Sequence, residues 1–316
     1  MGETSETRTV TVIGAGTIGL GWVALFLGAG MRVRVVSRRG DVGEQVAEAL
    51  AMFAPHLPGG AQDPAELATR LEVEPDLAAA VRGAHVVQEN TEENLETKRE
   101  LFAELEAVAG PDALLLSSTS TLPPDELGAS MREPGRVVVG HPFNPPHVVP
   151  LVEVVAGTRT PDATVDAVVE FYRSAGKVPV VLRKPIARFV ANRLQSALLQ
   201  ESIHLVREGV VTTAELDEVV TQSIGLRWAT VGPFLAFHLG GGQGGLRHWL
   251  TTLGRGLEAS WRDLGTPKLD DETVELVLQQ AEAEVAGRTY AELVAERDAK
   301  QTAILAALAE EDAKRA

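Results

Sequence analysis

The chain contains no cysteine among its 316 residues. Disulfide bonds, a thiolate nucleophile and cysteine-ligated zinc are therefore excluded. The same absence leaves the cellular compartment open, and the cytoplasm is the default expectation. Hydrophobic residues make up 45% of the chain, which at this length predicts a globular protein of two domains with substantial cores.

Positive charge is scarce relative to negative charge. The chain has 29 lysines and arginines against 44 aspartates and glutamates, a formal net charge of −15. Nucleic acids and anionic membranes would be repelled, so neither is expected as a partner. Uninterrupted apolar runs are also scarce, because Gly14, Gly16, Gly19 and Gly21 divide the apolar stretch from residue 9 to residue 30. A membrane-spanning helix is not expected there.

These glycines fit a nucleotide-binding turn. The order is an apolar strand, a glycine turn and then a helical run, and the turn reads Gly14-Ala15-Gly16-Thr17-Ile18-Gly19. Gly14 permits the tight turn, Gly16 lets the backbone approach a pyrophosphate, and Gly19 lets the helix pack closely on the strand. The N-terminus of the helix offers free N–H groups to the phosphates. The pattern predicts dinucleotide binding; the alternative is a glycine-rich turn in another kind of α/β sheet.

The end of the second strand bears on which dinucleotide binds. An NAD-binding chain usually carries an acid there, but this chain has Ser37, Arg38 and Arg39. A carboxylate would repel a 2′-phosphate, whereas a hydroxyl and two guanidinium groups can bind one, so the sequence favours NADP over NAD. In the alternative, both arginines are solvated and Asp41 reaches the ribose.

A histidine and a glutamate stand twelve residues apart on two short apolar runs joined by a proline-rich turn. His141 follows three valines, and Glu153 lies within Leu-Val-Glu-Val-Val. A charged side chain in such a run is costly to bury unless it is paired. A carboxylate beside an imidazole orients the ring and stabilises its protonated form, as a proton-accepting base requires. Taken alone, such a pair is more often structural than catalytic.

The order of elements predicts a doubly wound α/β domain of Rossmann type followed by an all-helical domain. Strand patterns lie at 10–13, 33–36, 71–73, 85–87, 113–116, 137–139, 151–155 and 178–182, with helical patterns at 42–53, 93–108 and 161–174 between them. Beyond Pro185 only helical patterns follow, at 189–208, 214–222, 270–285 and 290–308. The predicted domains are therefore 1–185, which binds the dinucleotide, and 186–316, which is helical.

Six motifs resemble the 3-hydroxyacyl-CoA dehydrogenase family over almost the whole chain. The branch they resemble consists of short enzymes and includes L-gulonate 3-dehydrogenase, the lambda-crystallin relatives and carnitine 3-dehydrogenase. The motifs are Gly14–Gly19, Gln88–Lys98, Ser117–Leu122, His141–Pro146 continuing to Glu153, Phe189–Leu194, and Leu226–Trp228 continuing to Gly232-Pro-Phe-Leu. Together they are specific for the family and much less specific for the substrate.

The resemblance implies roles for four residues. His141 would be the general base and Glu153 the residue that orients it. Ser120 would donate a hydrogen bond to the reacting oxygen, and Asn192 would support the substrate carbonyl; both are neutral donors aimed where negative charge develops. Without the resemblance, Ser120 reads as a turn cap and Asn192 as an early helix residue.

Other matching positions concern the cofactor and the substrate. Glu93 and Lys98 match positions near the nicotinamide and its ribose; alone they would read as an exposed acid and base at a helix start. Asn144 is expected to hold the proline-rich turn or to touch the bound molecules. Arg227 can clamp a substrate carboxylate through two hydrogen bonds, or it can cap a helix or pair across a dimer interface.

Two departures from the family pattern matter. Ser37 replaces the usual acid and puts NAD preference in doubt, and Ser118 replaces an asparagine of many acyl-CoA members, which favours the short branch. No metal is expected, because hydride transfer from an alcohol needs none when a base is present. The resemblance also implies that the helical domain, 186–316, helps to bind the substrate and forms a homodimer. We expect an enzyme that acts on a free 3-hydroxy or 3-oxo acid. The alternatives are an acyl-CoA thioester substrate and a non-catalytic cofactor-binding protein of lambda-crystallin type.

Overall fold

The computed structural model describes residues 7–314. Eight strands form one sheet in the order β3-β2-β1-β4-β5-β6-β7-β8. Their bounds are β1 Thr9–Ile13, β2 Arg32–Val36, β3 Leu71–Val73, β4 Val86–Glu89, β5 Leu114–Ser117, β6 Val137–Pro142, β7 Leu151–Ala156 and β8 Val178–Val181. All neighbouring strands pair in parallel except β6 and β7, which are antiparallel.

Helices follow most of these strands and make up most of the described chain after β8. They are α1 Thr17–Gly28, α2 Val42–Phe53, α3 Pro64–Ala68, α4 Leu77–Val81, α5 Leu95–Val108, α6 Pro124–Leu127, α7 Asp162–Ser174, α8 Val190–Arg207, α9 Thr213–Gln222, α10 Ile224–Thr230, α11 Pro233–Gly240, α12 Gly245–Thr251, α13 Leu257–Asp263, α14 Asp271–Val285 and α15 Tyr290–Ala313. No helix within the described part of the chain is long and apolar enough to cross a membrane.

The strand order reverses beside β1, which lies between β2 and β4. Parallel sheets of this kind bind ligands at the carboxyl ends of their strands at such a switch point. The turn after β1 carries the glycine motif, so the fold places that motif at the expected edge. His141 lies near the carboxyl end of β6, which is parallel to β5 and therefore ends at the same edge.

Two apolar cores cover the two faces of the sheet. Val10 and Val12 of β1 belong to one core, while Ile13 belongs to the other, as the alternation of side chains along a strand requires. The first core is rich in aromatic rings, where Trp22 stacks on Phe26 with centroids 5.1 Å apart. Burying one such side chain contributes roughly 1.5–3 kcal/mol, and the predicted sheet covered on both faces is confirmed.

All eight predicted strands are present, and the long predicted helices begin and end within a few residues of their expected bounds. The helices α10 to α13 were not predicted. Each has only seven or eight residues, and several contain or adjoin glycine. So short a helix shows too few turns for an apolar stripe to emerge from the sequence.

Contacts divide the chain into two compact units. The first comprises the described residues up to Asn192 together with Leu293–Ala306, and the second comprises Arg193–Glu292 with the described residues after Ala306. The sequence reading placed a single boundary at Pro185. Two segments differ. Residues 186–192 belong to the first unit, and so does the middle of α15, which buries Val294 in the first core.

A buried hydrogen bond fixes this returning segment of α15. His147, in the turn between β6 and β7, lies 2.8 Å from Asp298 of α15, and the exposed fractions of the two side chains are 1% and 0%. The imidazole stacks on Phe53 with ring centroids 3.8 Å apart. Burial lowers the pKa of His147, and Arg297 and His56 act in the same direction, although the hydrogen bond to Asp298 opposes them.

We predict that the free energy of unfolding falls as the pH is lowered from about 7.5 to about 5.5. The unfolded chain binds a proton at His147 near pH 6.5, whereas the folded chain binds it only at lower pH, so acid favours unfolding by at most about 1.4 kcal/mol per pH unit. His147→Gln keeps a donor for Asp298 without titrating and should show a shallower pH dependence in urea unfolding. Equal slopes for the two proteins would contradict this account.

Candidate active site

The glycine turn after β1 has the geometry that its sequence predicts. Gly14 adopts φ +91°, and a Cβ atom there would lie 2.5 Å from the backbone oxygen of Asn90. A Cβ atom on Gly19 would lie 1.9 Å from the backbone oxygen of Gly14. Neither position tolerates a side chain, so the tight turn and the close packing of the helix are both confirmed.

The remaining glycine of the motif, Gly16, faces open space. Gly16 precedes α1, and a Cβ atom there would meet nothing within 4 Å. No side chain of the described residues caps this end of α1, so the N–H groups of Thr17 and Ile18 remain available to an anion. A cleft of about 580 Å³ opens here. A dinucleotide phosphate fits this environment, because backbone can approach it and the dipole of the helix favours negative charge.

The strand-end residues line the same cleft. Ser37, Arg38 and Arg39 are all among its walls, together with Glu92. Arg38 lies 3.6 Å from Glu92, and both side chains are largely exposed. Such a pair contributes little stability, so the guanidinium can turn toward a phosphate at small cost. Asp41, the alternative ribose ligand, accepts a hydrogen bond from the side chain of Gln45 at 2.7 Å.

His141 and Glu153 are direct partners across the antiparallel strands β6 and β7. Nδ1 of His141 lies 2.8 Å from Oε2 of Glu153, and both residues are buried. The other oxygen, Oε1, accepts hydrogen bonds from the backbone N–H groups of Val190 at 2.8 Å and Ala191 at 3.0 Å. Both oxygens of this buried carboxylate are therefore bonded, one to the imidazole and one to the start of α8.

These bonds keep Glu153 ionised. Burial raises the pKa of Glu153, but the hydrogen bonds from His141, Ala191 and Val190 outweigh burial and lower it overall. An ionised Glu153 accepts a hydrogen bond from Nδ1–H of His141, because a carboxylate can only accept. The neutral ring then carries its lone pair on Nε2, which is the atom available to take a proton.

Ser120 and Asn192 lie on segments that are each bonded to a carboxylate: Ser120 to Glu93, and Ala191, which precedes Asn192, to Glu153. Ser120 follows β5 by three residues, and its backbone N–H donates to Glu93 at 3.1 Å. Asn192 is the third residue of α8 and directly follows Ala191, which is bonded to Glu153. Both side chains are partly exposed, and their roles toward a substrate stay predictions.

Glu93 holds the loop that carries Ser120. Its Oε1 accepts from the hydroxyl groups of Thr119 at 2.5 Å and Thr121 at 2.8 Å, and from the backbone N–H groups of Ser120 and Thr121. Burial raises the pKa of Glu93, but the bonds from Thr119 and Thr121 and the charge of Lys98 lower it overall. Glu93 is thus an ionised clamp on three successive residues.

Lys98 is buried rather than exposed. Its Nζ lies 2.6 Å from Glu89 and 3.7 Å from Glu93, and 1% of its side chain is exposed. The reading of Lys98 as a surface base at a helix start is therefore wrong, while cofactor contact stays a prediction. Glu89, which the sequence analysis missed, also accepts from Ser117 at 2.6 Å. The signal was available, because Glu89 ends an apolar strand where an acid is costly without a partner.

Ser118 joins the sheet to α1. Its hydroxyl accepts from Nε1 of Trp22 and from the side chain of Gln88, both at 2.9 Å, and donates to Asn90 at 2.7 Å. Asn90 lines the cofactor cleft and abuts Gly14. The serine that departs from the acyl-CoA pattern therefore completes a polar network beneath the glycine turn.

The two predicted substrate residues differ in their setting. Asn144 is exposed in the turn between β6 and β7 and precedes Pro145 through a cis peptide bond. Arg227 is exposed on α10 of the second unit, and its guanidinium makes no hydrogen bond or ion pair within residues 7–314. Their contacts with a substrate stay predictions.

Models of two protein domains match this chain. The 3-hydroxyacyl-CoA dehydrogenase NAD-binding domain matches residues 9–185, and the 3-hydroxyacyl-CoA dehydrogenase C-terminal domain matches residues 189–288. Among curated relatives, the L-carnitine dehydrogenase of Streptomyces griseus is 41% identical over 299 residues, which cover 93% of this chain and 88% of that protein. The L-carnitine dehydrogenase of Pseudomonas putida is 37% identical, and the match covers 96% of this chain and 95% of that protein.

Solved structures agree with this match. The crystal structure of 5-formyl-3-hydroxy-2-methylpyridine 4-carboxylic acid 5-dehydrogenase, described as an NAD+-dependent dismutase, superposes with a TM-score of 0.76 at 30% identity. The match covers 96% of this chain and 98% of that one. The 3-hydroxybutyryl-CoA dehydrogenase of Escherichia coli superposes with a TM-score of 0.58 at 30% identity, over 66% of this chain and 44% of that one.

We predict that Glu93→Ala lowers the free energy of unfolding by about 1–3 kcal/mol, because it leaves several donors of the loop without their acceptor. Glu93→Gln retains one accepting oxygen and should lose less. The matched control is the neighbouring Glu92→Ala, which removes only an exposed pair and should cost less than about 1 kcal/mol. Urea unfolding measures all three, and equal losses at positions 92 and 93 would argue against the clamp.

Proposed function

The chain belongs to the 3-hydroxyacyl-CoA dehydrogenase family, and from that membership we propose that it interconverts a free 3-hydroxy acid and the corresponding 3-oxo acid with a nicotinamide dinucleotide. The observation that carries the proposal is the buried His141–Glu153 pair, whose nitrogen and oxygen lie 2.8 Å apart at the edge of the sheet that bears the glycine turn. The residues of that turn fit a dinucleotide, since the start of α1 is open and uncapped.

In the proposed oxidation, Nε2 of His141 removes the proton of the substrate hydroxyl. Glu153 stabilises the imidazolium that results, because its carboxylate is already ionised and bonded to Nδ1. Ser120 and Asn192 donate hydrogen bonds to the substrate oxygens, as the family resemblance implies. A bound oxidised nicotinamide would accept the hydride from the carbon that bears the hydroxyl, and a reduced one would supply it in the reverse reaction. In the reductive direction, His141 returns the proton to the nascent alkoxide.

Carnitine is the proposed substrate type. It is a free 3-hydroxy acid with a trimethylammonium group, and the curated relatives matched over almost the whole chain are named for it. The free guanidinium of Arg227 is the proposed clamp for the substrate carboxylate. The second candidate is a 3-hydroxyacyl-CoA thioester, which the names of the two matching domain models favour.

The proposed cofactor preference is for NADP. It is supported by Ser37, Arg38 and Arg39 on the wall of the cleft, where no acid ends the second strand. A domain model that names NAD and a relative described as NAD+-dependent favour the other cofactor. Both cofactors therefore belong in any assay.

We further propose a cytoplasmic homodimer formed through the second unit. That unit exposes many large apolar side chains, among them Leu226 at 61%, Phe234 at 78%, Leu239 at 62% and Trp261 at 61%. Exposed apolar surface on this scale is typical of association sites. A second copy of the chain would remove it from water.

The test is the rate of NADP+ and NAD+ reduction with L-carnitine and other free 3-hydroxy acids, beside 3-hydroxybutyryl-CoA. We expect turnover of a free acid, with carnitine the best, and a faster rate with the NADP pair than with the NAD pair. His141→Gln should lose turnover by a factor of at least about a hundred, since a positioned base contributes that much, while cofactor binding stays nearly unchanged.

Turnover of the thioester alone would replace the free-acid proposal and leave Arg227 without a substrate role. Retention of activity in His141→Gln would remove that residue from the base role. Cofactor binding without turnover of any compound would support the non-catalytic, lambda-crystallin type of function.

A further inference from the structure

Two successive residues before α8 adopt the left-handed backbone conformation, which is unfavourable for residues other than glycine. Arg188 has φ +63° and Phe189 has φ +50°, and they are the two non-glycine residues with positive φ within residues 7–314. Strain of this kind persists only where the surrounding structure enforces it, and it clusters at functional sites. For a residue as bulky as phenylalanine the conformation is a genuine outlier.

The contacts around this turn show what enforces it. The next two residues, Val190 and Ala191, donate their backbone N–H groups to Oε1 of Glu153 at 2.8 and 3.0 Å. The backbone N–H of Phe189 donates to the carbonyl of Ile186 at 3.1 Å. The chain therefore turns sharply just before it delivers two donors to the buried carboxylate.

The same turn brings the Phe189 side chain onto the base. Only 1% of Phe189 is exposed, and its ring centroid lies 5.3 Å from that of His141 with the planes tilted by 51°. His141 is thus held on two sides, at Nδ1 by Glu153 and on its ring by Phe189. A regular helix start would make the two bonds to Glu153 without requiring a strained, buried aromatic ring.

We propose that Phe189 is a positioning residue for His141, and that the strained turn at Arg188 and Phe189 exists to seat the phenyl ring against the imidazole. The inference rests on the proposed base role of His141. Phe189 fixes the ring so that Nε2 points at the substrate hydroxyl, and it keeps water from the His141–Glu153 hydrogen bond. The phenyl ring of Phe189 has no proposed contact with the cofactor, so its loss should leave cofactor affinity unchanged.

The test compares Phe189→Leu with a matched control, Phe102→Leu. Phe102 is equally buried, at 0% exposure, and belongs to the same apolar core. Both variants lose a buried phenyl ring and should lose similar stability, but only Phe189 contacts His141. Phe189→Met, which keeps more of the buried volume, serves if the leucine variant fails to fold.

Two readouts are needed on the full-length chain. The first is the ¹⁵N resonance of Nδ1 of His141 without substrate, assigned with His141→Gln, because it reports whether the proton stays on Nδ1, whereas the loss of a neighbouring aromatic ring by itself moves it little. The second is kcat beside the dissociation constant of the cofactor. We expect the Phe189 variants to shift the resonance and to lower kcat by about tenfold to a hundredfold, as misplaced catalytic groups do, with cofactor affinity within about twofold.

Phe102→Leu should leave both the resonance and kcat close to those of the parent chain. An unshifted resonance in the Phe189 variants, or equal losses of kcat at positions 189 and 102, would overturn the proposal. These outcomes are separate from failure of the proposed function. That failure would show as turnover by His141→Gln, and the resonance would still report whether Phe189 sets the imidazole.

Discussion

The site depends on one carboxylate, Glu153, which binds two parts of the chain at once. Oε2 holds the imidazole of His141 at 2.8 Å, and Oε1 holds the first backbone N–H groups of α8 at 2.8 and 3.0 Å. A buried carboxylate is costly unless its oxygens are bonded, and here both are. Because the same group orients the base and holds the backbone at Val190 and Ala191, neither can shift without disturbing the other.

Other buried polar contacts hold the loops that follow β4, β5 and β6. Lys98 bridges Glu89 and Glu93, and Glu93 fixes the segment that bears Ser120. His147 and Asp298 tie the turn between β6 and β7 to α15, far along the chain. Removing one member of the buried Lys98–Glu89 pair would leave an uncompensated charge, which destabilises far more than the loss of a surface pair. The loops at this edge of the sheet are therefore held in place by buried polar groups that depend on one another.

The sheet could be predicted from the sequence, because fully buried parallel strands appear as short apolar runs. The pairing of His141 with Glu153 could also be predicted, because an acid in such a run needs a partner. The sequence did not show that α15 returns to the first unit, since Asp298 reads as a surface residue of an acidic helix. Nor did it show the turn at Arg188 and Phe189, where neither residue is the glycine that a positive φ favours. Long-range pairs and backbone strain have no local sequence signature.

The most direct test of the central claim is the tautomer of His141, read from the ¹⁵N chemical shifts of its imidazole at neutral pH and assigned with His141→Gln. An ionised Glu153 at 2.8 Å requires the proton of the neutral ring on Nδ1 and the lone pair on Nε2. A protonated-type shift at Nδ1 with an unprotonated-type shift at Nε2 is the predicted result. The opposite tautomer would contradict the account, because Nε2 could not then accept a proton from a substrate.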